Sequence, residues 1–379
     1  MTGSALTAML VVPSARLAGG GDVWLNALLA GLGRHGVSVM VAFEEDGELA
    51  RRATEYGCTA LVLPGNGDST KPHPRQLVSP VAEVMAEYRP QVTVFWSPRA
   101  QVYGALAHQQ AGRPGRTAWV QHVIPSRFWL HQVASDSPSD LVICVSRAVQ
   151  ARQEHLYPGR ATAVVHPGVD ASERPLPRRA ARHALGISGD GPVVGVVGRI
   201  EPWKGQDIAV RMLAGLRDAT CSLVLIGDRR SASWPGFTPE VDGLTAELGV
   251  DERVIFAGHR GDAARLLHGL DVLVCASREE GFGLAVLEAA AAGVPVVATR
   301  CGGPEDMIEH KVTGLLVAPE DPAALAEAVE AVFASPTAAS RMRDNAQQLH
   351  RQWLTAAHGA VRFAEALHRL AEERTGRWR

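Results

Sequence analysis

The sequence predicts an α/β protein made of two doubly wound parallel sheets, and three observations lead there. Its 379 residues exceed what one hydrophobic core usually supports. Short apolar runs alternate with longer helical patterns, as they do where crossover helices join parallel strands. The alternation also starts afresh after a connection rich in Pro, Arg and Gly.

In the first series LTAMLVV, VSVMVAF, TALVLP, QVTVFW, TAWVQH, DLVICVS and TAVVHP read as strands, with helical segments between nearly all of them. The connection GVDASERPLPRRAARHALGISGDGP follows, and the domain boundary is placed near Gly168. The second series is VVGVVG, SLVLIG, RVIFAG, DVLVCAS, VPVVAT and TGLLVAP, again separated by helices such as GQDIAVRMLAGLR. Helical patterns and a Trp- and Arg-rich tail close the chain without a further strand. Each domain should present strand carboxyl ends and helix N-termini along one edge, so the expected site is a cleft between two such edges.

Composition narrows the function. With 46% hydrophobic and 21% charged residues and a formal net charge of −2, the chain reads as a soluble globular protein. Nucleic acid is excluded as a partner, because no basic excess is present to displace counterions from phosphates. The first 165 residues are only faintly basic, which gives no ground for membrane docking, although peripheral contact stays open. Five scattered cysteines without a CxxC pair indicate a reduced, cytoplasmic setting and neither a zinc site nor a disulfide frame. No signal peptide or transmembrane run is expected.

The first strand runs into SARLAGGGDVW, where Gly19, Gly20 and Gly21 precede Asp22 at an expected N-cap. A helix N-terminus behind such a turn offers N–H donors to a phosphate, though a merely tight strand-to-helix turn reads the same. In VVGVVGRIEPWKGQD, Arg199 follows the strand at once and Lys204 stands just before a helix beginning near Gln206. Two cations at a strand's carboxyl mouth can hold a diphosphate, one as a fork and one as a point charge, or they can be a solvated surface pair.

The stretch EEGFGLAVLEAAAAGVPVVAT forms a βαβ unit with the preceding DVLVCAS, with REEGFG as the loop, LAVLEAAAA as the helix and Gly293 as its stop. Glu280 then lies in the loop and Glu288 in the helix. Fully helical spacing would separate them by about 12 Å, so the glycine loop must fold Glu280 back over the helix end for both to reach one elongated ligand. The N–H groups around Phe282, Gly283 and Leu284 would point at the middle of that ligand. A nucleotide sugar fits: sugar hydroxyls on Glu280, diphosphate on the N–H groups with Arg199 and Lys204, ribose on Glu288.

These motifs, with HPGVD at His166 to Asp170, resemble those of the retaining glycosyltransferases of the two-Rossmann-domain (GT-B) type, specifically family four, and they span nearly the whole chain. The resemblance implies an acceptor-binding domain over 1–168 and a nucleotide-sugar-binding domain over 169–352. It also implies a C-terminal helix over 353–379 crossing back to the first domain. Glu280, Arg199, Lys204 and His122 would be the catalytic group, His122 contacting donor sugar or acceptor. Gly19, Gly20, Gly21, Glu288, Phe282, Gly283 and Leu284 would bind substrate. Arg260 would lie near a nucleobase read largely through backbone groups, and CGGPED would be a further turn close to the cleft.

The implied activity moves a hexosyl or N-acetylhexosaminyl group from a nucleoside-diphosphate sugar, UDP-linked in preference, to a hydroxyl of a small soluble acceptor, with retention. No cofactor is expected beyond the donor, and the absence of DxD implies independence from metal. The alternatives are an epimerase or hydrolase on the same fold, a mannosyltransferase of the cell envelope using GDP-mannose, or a noncatalytic binding subunit. The acceptor would be chosen by loops such as PGNGDSTKPHPRQ and IPSRFWLHQ. There Arg127, Phe128 and Trp129 either wall a sugar site or anchor a helix.

Overall fold

The computed structural model describes residues 5–17, 19–63, 73–230 and 234–372. Residues 64–72 of the loop PGNGDSTKPHPRQ and 373–379 of the tail lie outside the described residues. All thirteen apolar runs are strands. The chain divides into two compact units, one of residues 1–168 with 356–379, the other of residues 169–355.

The first unit holds β1 (Leu6–Val12), β2 (Val37–Phe43), β3 (Thr59–Val62), β4 (Val92–Phe95), β5 (Arg116–Gln121), β6 (Leu141–Cys144) and β7 (Thr162–Val164). They form one sheet in the order β3-β2-β1-β4-β5-β6-β7, every pair parallel. The second unit holds β8 (Val193–Val197), β9 (Ser222–Ile226), β10 (Val254–Gly258), β11 (Val272–Cys275), β12 (Val296–Thr299) and β13 (Leu315–Val317). Their order is β10-β9-β8-β11-β12-β13, again all parallel. Both sheets are Rossmann-like.

Helices cover both faces of a parallel sheet, so its central strands have no solvent side and read as unbroken apolar runs. Every residue of β4, β6 and β12 is buried. The edge strand β3 is the exception, with Leu61 and Val62 exposed. In each sheet the strand order reverses once, between β1 and β4 in the first unit and between β8 and β11 in the second. Beyond the carboxyl ends of those strands the flanking loops part and leave room for a ligand.

The last helix, Ala356–Glu372, belongs to the first unit. Small residues let it approach the helix Gly20–Leu32 closely: a Cβ on Gly31 would lie 2.6 Å from the Ala360 Cβ. Phe363 packs edge-on to Trp24 with ring centroids 5.8 Å apart, and His368 hydrogen-bonds the His35 carbonyl at 3.1 Å. No helix of the described residues is long and apolar enough to cross a membrane.

Candidate active site

In the second unit the strand-order reversal brings together side chains 76 residues apart in sequence. The Lys204 Nζ donates to Glu280 Oε2 at 2.5 Å. Lys204 follows β8 through the 3₁₀ turn Pro202–Lys204, and Glu280 follows the neighbouring β11. Backbone geometry holds each in place. Gly198, at φ 150°, lets the Lys204 stem pass over it, 3.4 Å from where a Cβ would stand. Glu280 is bridged in parallel to Gly302, its N–H donating to the Cys301 carbonyl at 2.9 Å and its carbonyl accepting from Gly303 N–H at 2.8 Å. Burial acts to lower the Lys204 pKa, but the adjacent Glu280 carboxylate outweighs it and the net shift is upward. The Lys204 ammonium therefore stays charged at neutral pH.

Arg199 lies on the same edge but is not part of that pair. Its side chain is 58% exposed and contacts the buried Glu201 carboxylate at 3.0 Å. Glu201 therefore holds one terminal nitrogen of the fork, Nη1, while most of the side chain stays exposed.

The helix Leu284–Ala292 begins at Gly283, whose φ of 95° only glycine adopts readily, and stops at Gly293, φ 71°. A Cβ on Gly283 would stand 3.4 Å from the Glu280 Cγ, so the loop does fold Glu280 back over the helix start. Among the described residues nothing accepts from the N–H of Leu284 or Ala285, which leaves these first-turn donors for a ligand. Phe282 is buried and packs against the CGGPED turn, where a Cβ on Gly303 would fall 2.2 Å from the Phe282 Cα. Glu288 is half-buried on this helix.

In the first unit His122 follows β5, and its Nε2 bonds the Trp96 carbonyl at 3.0 Å. Its ring lies 5.0 Å from that of Trp96 and 5.8 Å from that of Trp24. Burial in this aromatic nest drops its pKa to about 4, so the imidazole is neutral at pH 7. With Nε2–H directed at Trp96, Nδ1 carries the lone pair, and it stands 3.6 Å from where a Cβ on Gly21 would be. Gly21 thus makes room for His122.

Two expectations at this edge change. Asp22 is not the N-cap: the helix starts at Gly20, and Asp22 sits one turn in, accepting from the Gly19 N–H at 3.0 Å. None of the three glycines has a positive φ, so their value is the missing side chain and not a special turn. Phe128 and Trp129 stand at the start of the helix Trp129–Asp136, their rings 5.7 Å apart and their side chains 55% and 62% exposed.

Arg260 differs from a free base-side cation. Its fork binds Asp262 at 2.9 and 3.0 Å and its Nη1 binds the Ala184 carbonyl at 2.6 Å, so the guanidinium pins this turn to the helix Arg178–Ala184.

Two family descriptions match the chain, "Glycosyltransferase Family 4" over residues 18–173 and "Glycosyl transferases group 1" over residues 177–349. The chain belongs to glycosyltransferase family 4. It is 36% identical over 235 residues to D-inositol 3-phosphate glycosyltransferase of Mycobacterium marinum, a stretch that is 61% of this chain and 48% of that protein. The matched stretch thus spans about half the length of the curated relatives. Among solved structures it superposes on HepE of Anabaena in complex with UDP-glucose with a TM-score of 0.83 at 25% identity, covering 96% of this chain and 100% of that one. Sucrose-phosphate synthase of Thermosynechococcus elongatus shares the fold, at TM-score 0.82 and 22% identity over 96% of this chain and 99% of that one.

Two side chains of this family 4 protein escaped the sequence reading. Glu201 is a wholly buried carboxylate beneath Arg199, and Arg278, just ahead of Glu280, bonds the loop that carries Lys204. An acid directly after the RI pair was all the sequence offered for the first; nothing in REEGFG separates Arg278 from a solvated charge.

Glu288 gives a pH prediction. Burial raises its carboxyl from the ordinary 4.5 to about 7. Between those values the folded chain holds a proton that the unfolded chain has released. The group therefore costs nothing at low pH and removes stability progressively as pH rises through about 7. Glu288→Gln should be stabilised relative to wild type by about 1–3 kcal/mol at pH 8 and hardly at all at pH 4.5. Urea melts at the two pH values check this, and a gap independent of pH would contradict it.

Proposed function

We propose that this chain transfers a hexosyl group from a UDP-sugar to a hydroxyl of a small acceptor, with retention and without a metal. The observation that supports it most is the Lys204–Glu280 pair at the β8/β11 reversal, beside unclaimed N–H donors of the helix Leu284–Ala292. An ammonium has three donors, so with one on Glu280 two remain for a diphosphate. HepE, 25% identical over nearly the same length, was solved with UDP-glucose.

In this reading the sugar hydroxyls bind the Glu280 carboxylate and the ribose binds Glu288, whose carboxyl near neutrality can both donate and accept. Cleaving the sugar–phosphate bond puts negative charge on the leaving diphosphate. Lys204, Arg199 and the helix N-terminus answer that charge where it grows. The leaving phosphate oxygen takes the acceptor proton, and no separate base is needed. The first unit receives the acceptor at its carboxyl edge, near His122, Gly19 and Gly20. Glu280→Gln keeps the shape of the site and removes its charge.

Thermal shift against UDP-, GDP-, ADP- and dTDP-sugars tests the donor: at 100 times Kd a true donor adds about 2.7 kcal/mol, and a flat response to all of them ends the proposal. Proton NMR of the product made from an α-linked donor should show an α-glycoside formed equally well in EDTA. Free UDP and sugar with every acceptor tried would favour the hydrolase.

A further inference from the structure

Arg278 lies outside the set of groups that face the donor, yet it has the densest hydrogen bonding on this edge. Its backbone N–H donates to the Trp203 carbonyl at 2.8 Å. Its Nη1 reaches the Pro202 carbonyl at 2.5 Å and Asp207 Oδ1 at 2.9 Å, while Nη2 reaches Asp207 Oδ2 at 2.7 Å. The Nε donates to Glu320. Pro202 and Trp203 are the turn that ends in Lys204; Asp207 opens the next helix; Arg278 itself is two residues from Glu280.

Glu320 reaches Arg278 from a left-handed backbone, φ 59°, which a non-glycine residue adopts only where its surroundings hold it. A bidentate Arg–carboxylate pair with a second acid at right reach is far more rigid than an exposed single ion pair. Arg278 is 30% exposed and Asp207 16%, so water screens the pair only in part.

We infer that Arg278 is a positioning residue that clamps the Pro202–Lys204 turn to the Glu280 loop, and so sets the Lys204 Nζ where the donor's diphosphate binds. This rests on the donor reading above. The clamp works by preorganisation: without it Lys204 and Glu280 keep their charges but must be ordered at the moment of binding, which weakens affinity. Lysine cannot replace it, because a point charge cannot span Asp207, Glu320 and the Pro202 carbonyl together.

Calorimetry with UDP, GDP and ADP measures the effect on whichever nucleoside diphosphate the wild type binds best. Arg278→Ala should weaken it about tenfold or more, and Arg278→Lys should not restore it. Because the clamp acts through Lys204, the double variant Arg278→Ala, Lys204→Ala should bind no worse than Lys204→Ala within about twofold, a coupling that general destabilisation does not produce. Asp207→Asn, which cuts one arm only, should weaken binding a few-fold and serves if Arg278→Ala does not fold. Wild-type affinity in folded Arg278 and Asp207 variants, or effects that simply multiply in the double variant, overturns the clamp alone. A wild type that binds none of the three diphosphates overturns the donor site and the clamp with it.

Discussion

Lys204→Ala should lower kcat by about 10²–10³-fold, the loss that follows removal of one group aimed at charge developing in a transition state. The fall in ground-state donor affinity should be smaller. Part of the loss comes from Glu280, whose side chain is only 15% exposed and would lose its contact with the Lys204 ammonium at 2.5 Å. Since the two groups act as a unit, Glu280→Gln combined with Lys204→Ala should be little worse than the poorer single variant. Steady-state kinetics with the donor that the thermal-shift panel selects decide it: a Lys204→Ala enzyme within threefold of wild-type kcat would take Lys204 out of the chemistry.

Gly205→Ala should cost about 3 kcal/mol of stability or more and abolish donor binding with it. Gly205 sits at φ 68°, and a Cβ there would fall 2.0 Å from the Ala276 carbonyl oxygen, a backbone atom that cannot swing aside. Relief requires moving the end of β11 away from the turn that carries Lys204, which separates the two halves of the site. Gly33→Ala is the matched control. It has φ −57° and open space where a Cβ would go, so its unfolding midpoint should be unchanged or slightly higher. Denaturant melts of the two variants side by side give the comparison, and equal midpoints would contradict the packing argument.

Much of the architecture could be read from amino-acid types alone. Val-, Leu- and Ile-rich runs had to be buried strands, since a parallel sheet covered on both sides leaves them no polar face. Gly283 and Gly293 marked the ends of one helix because each has the left-handed φ that side chains disfavour. Local signals failed where two conformations look alike over a few residues: Asp22 and Gly19 both suit a helix start, and the hydrogen bond from Gly19 to Asp22 chose between them.

Chemistry between distant segments was legible only in part. Lys204 and Glu280 could each be named from the sequence, because a cation after one strand and an acid in a glycine loop after another suit a diphosphate sugar. Their direct contact could not, since it depends on β8 and β11 being neighbours. Arg260 and Arg278 show the same limit from opposite sides. Both are arginines in loops at strand ends, yet one pins a helix and the other joins two loops of the site. Residue type dictates which partners a guanidinium can satisfy, and burial dictates that a strand be apolar; which carboxylate or carbonyl comes within 3 Å is a matter of strand order and loop path. The fold class and the kinds of group at its ligand edge were therefore written locally, in propensity and hydrophobic pattern. The pairing of those groups arose from contacts between segments tens of residues apart, which no local preference encodes.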